Sequence, residues 1–109
     1  MLSLGSAKIF VCHMAVDLRK GFEGLSAIVA SSFREPLLSQ GSYFVFLNRG
    51  RNRMKILYWD ADGLAIWYKR LEAGRFPKPQ EQKSPMDRRE FIMLLEGIIP
   101  KRLFKRHKL

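Results

Sequence analysis

Cysteine occurs once in this chain, at Cys12, so no intramolecular disulfide can form and a zinc site built on paired cysteines is excluded by count. Long apolar runs are missing as well: no stretch approaches the roughly 18 uninterrupted apolar residues of a membrane-spanning helix. Residues 1–11 lack the basic start, apolar run and small-residue cleavage site of a secretory leader. These absences point to a reducing cytoplasm and no membrane contact. There is no glycine-rich phosphate loop, zincin motif, internal repeat or low-complexity segment. Acidic side chains are scarce, ten against twenty lysines and arginines, which leaves a net charge of +10. That imbalance concentrates polyanions around the molecule and predicts an acidic partner.

The excess charge is clustered. Arg49, Arg51, Arg53 and Lys55 fall within residues 48–59 with no acid among them, and residues 101–109 hold five cations and no acid. Two short segments therefore carry nine of the ten excess charges, which favours a contact surface over a general solubilising charge. Elsewhere the chain is apolar enough to fold: 47% of residues are hydrophobic and 12% aromatic, above the range in which chains stay disordered. A length of 109 residues is sufficient for a core. We read one domain over 1–100 and a basic tail over 101–109 that stays mobile until it binds.

The patterning predicts an α+β fold, a small antiparallel β-sheet packed with two helices. Residues 7–14 are mostly apolar and suit a first strand. Asp17 can cap a helix over about 18–32 whose stripe is Leu18, Phe22, Leu25 and Val29. Within it Gly21 and Gly24 mark close packing or approach to a ligand. A loop from Pro36 to Ser42 leads to a doubly buried strand over 43–47, followed by a turn over 48–53. Strands over 54–59 and 64–71 then flank Asp60-Ala61-Asp62-Gly63, whose Asp-Gly ending signals a hairpin with glycine at positive φ. The three later strands form an antiparallel meander. After a proline-containing connection, Ser84 as cap, Pro85 in first helical position and Asp87 in third predict a second helix to about 99. Its stripe is Phe91, Leu94, Leu95 and Ile98.

Arg49, Arg51, Arg53 and Lys55 alternate along the chain, and in an extended strand residues two apart face one side, so all four can meet one phosphate backbone. The plainer account is a charged hairpin tip that keeps a sheet edge soluble. Arg19 and Lys20 extend the patch, and Lys101, Arg102, Lys105 and Arg106 of the tail add to it. Tyr58, Trp59, Trp67 and Tyr68 are candidates for stacking on bases, but a protein this small needs its tryptophans in the core. Asp60, Asp62 and Glu72, with Asp17 or Glu23, are the carboxylates available for a Mg²⁺-dependent nuclease. Turn formation and helix capping account for the aspartates, so we expect no metal, no cofactor and no catalytic residue. His13, His107 and Cys12 have no partner at catalytic spacing.

Three segments in order, VDLRKGFEGL over 16–25, FVFLNRGRNRMKILYWD over 44–60 and YKRLEAGRF over 68–76, followed by LLEGI over 94–98, resemble the second open reading frame product, TnpB-type, of the IS-66 insertion sequences. The unrelated RNA-guided nuclease that shares the TnpB label is a different and much longer protein. Glu23 stands where the family commonly has Asp or Asn, which argues against a catalytic role at that position. The resemblance implies an accessory of transposition, with DDE-type chemistry carried by a separate, larger transposase. The partners it implies are nucleic acid, foremost DNA of the element ends, and the transposase itself. An adaptor that docks on the transposase through an exposed sheet face or the tail is the competing function.

Overall fold

Six consecutive residues of the middle segment, Ser42–Leu47, are all buried, and alternate side chains of a strand point to opposite faces, so this strand must be covered on both sides. The computed structural model, which describes residues 7–33, 41–82 and 84–97, meets that requirement with one layer on each face of a four-stranded sheet. The elements run β1 (Lys8–Val11), α1 (Phe22–Ser32), β2 (Ser42–Leu47), β3 (Arg53–Asp60), β4 (Gly63–Arg70) and α2 (Arg88–Glu96). The sheet order is β1-β2-β3-β4. The meander of β2, β3 and β4 is antiparallel as expected. Strand β1, however, lies parallel to β2, which makes the sheet mixed. A parallel neighbour needs a long crossover, and the segment containing α1 supplies it.

Each face carries its own core. Tyr43, Val45 and Leu47 of β2 join Met54, Ile56 and Tyr58 of β3 on the face that receives Phe76 and Phe91. Phe44, Phe46 and Leu57 point the other way, to Leu25 and Val29 of α1 and to Leu18, Val16 and Cys12. Phe10, Phe33 and Phe44 close this second core, with ring centroids 5.4 to 5.9 Å apart. Burying one such ring is worth about 2 kcal/mol, and the two layers repeat it many times. Both faces of the central strands are thus covered, whereas β4 is part-buried and, from Tyr68 on, exposed.

Helix α1 starts at Phe22, four residues later than the pattern suggests. Asp17 does not cap it: its carboxylate accepts the backbone N–H of Arg19 at 3.0 Å, an Asx-type bond that folds 17–20 into a turn. Leu18 still reaches the core, through that turn, whereas Phe22 is 49% exposed. At Gly24 an added Cβ would lie 2.9 Å from the Cβ of Lys20, so the glycine admits the lysine stem rather than a ligand.

Helix α2 also starts late. Asp87 is its N-cap, accepting from Glu90 N–H at 2.8 Å, while the Glu90 carboxylate accepts from Asp87 N–H at 3.3 Å. Ser84 and Pro85 do not initiate it because the next residue is taken by the sheet: Met86 exchanges backbone hydrogen bonds with Ile9 of β1 at 2.9 and 2.7 Å. Phe91 is buried, and Leu94 and Leu95 pack against the first core. Ile98, like Pro36, lies outside the described residues.

Candidate nucleic-acid interface

The turn between β2 and β3 is built by asparagines. Asn48 Oδ1 accepts the backbone N–H groups of Asn52 and Arg53, both at 3.0 Å, and its Nδ2 donates to Asn52 Oδ1 at 2.7 Å. The Arg51 N–H closes onto the Asn48 carbonyl at 3.0 Å, and Arg51 takes φ 55°, a left-handed conformation that L side chains seldom adopt. The segment after β4 braces the loop from outside. Leu71 N–H donates to the Asn52 carbonyl and Phe76 N–H to the Arg51 carbonyl, each at 2.7 Å. The arginines are thus mounted on a fixed frame.

That frame breaks the alternation expected of an extended chain. Arg53 and Lys55 do share the α1 side of β3, but Arg49 and Arg51 sit in the turn, where left-handed backbone ends the two-residue repeat. The four cations also differ in what they touch. Lys55 Nζ donates to the Lys20 carbonyl at 2.9 Å and lies 5.0 Å from the centre of the Tyr68 ring, so it ties β3 to the entry of α1. Arg19 forms a two-nitrogen fork with Asp17, with N to O distances of 2.6 to 3.1 Å. The arginine's hydrogen bond holds the Asp17 carboxyl well below the usual carboxylate range, and Asp17 in turn raises the guanidinium. The pair stays ionised and its local net charge is zero. Lys20 is exposed. Among the described residues, Arg49, Arg51 and Arg53 make no ion pair.

Two adjoining hollows share Arg49. One, of about 420 Å³, brings Arg49 and Arg53 together with Arg19 and Asp17. The other, of about 390 Å³, brings Arg49 and Arg51 together with Lys78 and His13. The chain reaches these hollows because it bulges after β1. Cys12 N–H bonds to the Val45 carbonyl and Val16 N–H to that of Leu47, both at 2.9 Å, so four residues pass while β2 advances two, and 13–15 stand out to solvent. Lys78 was missed by sequence reasoning. It follows Phe76, whose burial and bond to Arg51 bring it to the turn, and no local pattern announces that. Lys101, Arg102, Lys105 and Arg106 lie outside the described residues.

Of the aromatic candidates, Trp67 packs against the first core and Tyr58 is 6% exposed, whereas Trp59 is part-buried and Tyr68 is 49% exposed. The β3–β4 hairpin turns at Ala61 and Asp62, with Asp60 paired to Gly63. Its positive φ falls on Ala61, at 55°, and not on glycine. Among the described residues no three of His, Cys, Asp and Glu gather closely enough to hold a metal ion. No helix among them is long and apolar enough to cross a membrane.

Fold and site together define a small basic α+β protein with three arginines, free of ion pairs among the described residues, on one braced turn. The IS66 Orf2 like protein family matches residues 7–105, and the chain belongs to that family. It is 34% identical over 94 residues to uncharacterized protein y4jC of Sinorhizobium fredii (strain NBRC 101917 / NGR234), covering 84% of this chain and 79% of the relative. It is 30% identical over 78 residues to uncharacterized protein y4hO of the same strain, covering 71% and 66%. No solved structure matches. Family membership gives the chain an accessory role in the transposition of IS66-type insertion sequences.

Proposed function

We propose that this chain serves transposition by binding nucleic acid, first of all the DNA of the element ends, through the braced turn, without a catalytic step of its own and alongside a separate transposase. The observation that carries this reading is the grouping of Arg49, Arg51 and Arg53 on a fixed loop, without ion pairs among the described residues, with Lys78 added by the fold. Arg presents a planar fork that matches phosphate oxygens, and cations held in place lose little entropy on binding. Arg19 and Lys55 serve as framework, being engaged with Asp17, Lys20 and Tyr68. Phosphate contacts carry affinity without sequence information, so element specificity belongs to the transposase or to the assembled complex.

The test is a titration of the purified protein against duplex and single-stranded element ends at two salt concentrations. Binding should weaken steeply with salt, because each neutralised phosphate releases condensed counterions. Absence of binding to any nucleic acid at low salt would sink the proposal and leave docking on the transposase as the accessory role.

A further inference from the structure

The sheet has two edges, and the fold treats them differently. At β1 the outer edge is closed. Met86 exchanges two backbone hydrogen bonds with Ile9, and the Gln82 carboxamide accepts from Val11 N–H at 2.5 Å and donates to the Ile9 carbonyl at 3.2 Å. Strand β4, at the other edge, is eight residues long and contains no proline. Its pairing with β3 runs unbroken from Arg53↔Arg70 to Asp60↔Gly63, so it has no bulge. Prolines, bulges, short strands and charged side chains are the usual means of keeping an edge unpaired, and of these β4 has only Lys69 and Arg70 at its end. Among the described residues no backbone hydrogen bond reaches its outer side. The two-residue turn makes Asp60 and Gly63 a hydrogen-bonded pair, so Leu64, Ile66, Tyr68 and Arg70 direct their N–H and C=O groups outward.

We propose that the β4 edge pairs with the same edge of a second copy of this chain, antiparallel about a two-fold axis at Ile66. Charge selects this occupant. The hairpin is acidic where β4 begins, at Asp60 and Asp62, and basic where it ends, at Lys69 and Arg70. Antiparallel self-pairing brings unlike ends together, and a parallel arrangement would bring like ends together. A register centred on Ile66 sets Arg70 across from Asp62 of the second copy, Tyr68 across from Leu64 and Trp67 across from Ala65. It keeps each residue on its own face and covers Tyr68, which is 49% exposed. Arg70 now bonds Glu72 at 3.1 Å, with both side chains exposed, and a surface pair of that kind gives way at little cost. The net charge of +10 on each copy opposes association, but at physiological salt charges are screened beyond about 8 Å, so the local complement decides.

One consequence rests on the nucleic-acid reading. The two-fold axis leaves both α1 faces on the same side, and eight residues of rise with three inter-strand spacings put the two Arg53 residues roughly 30 Å apart. That approaches the ~34 Å of one duplex turn, a spacing suited to paired contacts on one face of DNA.

The pairing itself is tested on the full chain without nucleic acid, by sedimentation equilibrium across the micromolar range. The mass should rise with concentration from 12.7 kDa toward twice that value. Asp62→Arg turns two symmetric attractions into repulsions and should weaken the dimer about tenfold, and adding Arg70→Glu should recover most of the loss. Tyr68→Pro removes an outward N–H and the ring contact with Lys55 but no backbone hydrogen bond to β3, so it should yield a monomer with unchanged far-UV circular dichroism. If that variant unfolds, the charge-reversal pair decides. A chain monomeric at every concentration overturns the proposal, as does a dimer indifferent to Asp62→Arg. The triple variant Arg49→Ala, Arg51→Ala, Arg53→Ala should dimerise like the parent, so a dimer that binds no nucleic acid refutes only the functional reading.

Discussion

Two residues carry strain or burial that a single substitution can expose. Ala61 holds φ 55° in the β3–β4 turn, and the Asp62 N–H reaches back to the Asp60 carbonyl at 2.5 Å, a tight geometry in which a Cβ crowds its own backbone. Replacing Ala61 with Gly relieves that contact, and the gain exceeds the extra chain entropy glycine brings to the unfolded state. We expect Ala61→Gly to stabilise by about 1 kcal/mol, read as a rise in melting temperature of about 4 °C. A lower melting temperature refutes the strained turn. Tyr58 is 6% exposed and lies beside Tyr43, with ring centroids 5.2 Å apart. Burial, then the nearby Asp60 and Tyr43, push its phenol above the ordinary value of 10.0. The unfolded chain therefore loses that proton first. Stability from this group is full below about pH 10 and falls as pH rises through the folded value. Tyr58→Phe should flatten the alkaline limb of a stability-against-pH curve, and an unchanged limb would assign the loss to other groups.

At the level of elements, the turn over 48–53 shows how a basic segment becomes a site. The charges are evident in the sequence, but their placement comes from Asn48, whose amide makes three hydrogen bonds inside the loop. Asn48→Ala removes no charge. It should cost about 1–2 kcal/mol of stability and lower nucleic-acid affinity several-fold, because the arginines must then be ordered on binding. Stability loss with unchanged affinity in a fluorescence anisotropy titration would show that preorganisation is irrelevant. The helices mark the limit of local signals. Asp17 and Ser84 both look like caps, yet Asp17 builds a turn with Arg19, and the chain beyond Ser84 is drawn to the edge of β1 through Met86. A cap residue states only that a neighbouring N–H can be satisfied, and tertiary pairing chooses which one.

For the whole molecule, the decisive comparison is between the charge on the braced turn and the larger charge of residues 101–109. Residues 101–109 carry +5, and Arg49, Arg51 and Arg53 carry +3. We expect replacement of the three arginines by alanine to weaken nucleic-acid binding more than deletion of 101–109, and both changes to flatten the dependence on salt. Each should act about equally on all sequences, since backbone phosphates are the target. Loss of binding on tail deletion, with the triple variant folded and near parental affinity, would move the contact to the tail and return the turn to a solubilising role.

The sequence by itself determined the fold class, the meander and the family. Apolar runs of strand length, turn residues and three ordered segments are local signals, and local chemistry is enough to write them. It also located the charge excess, since counting needs no geometry. Only the tertiary structure decided which cations share a hollow. Lys78 arrives there because Phe76 is buried in one core and bonds to Arg51, and Lys55 and Arg19 are tied to Lys20, Tyr68 and Asp17. It likewise decided that β1 runs parallel to β2 and that its edge is closed, while that of β4 takes no backbone partner among the described residues. These are relations between segments far apart in the chain, set by what each must bury and by which backbone groups remain to be paired, and no window of neighbouring residues contains them.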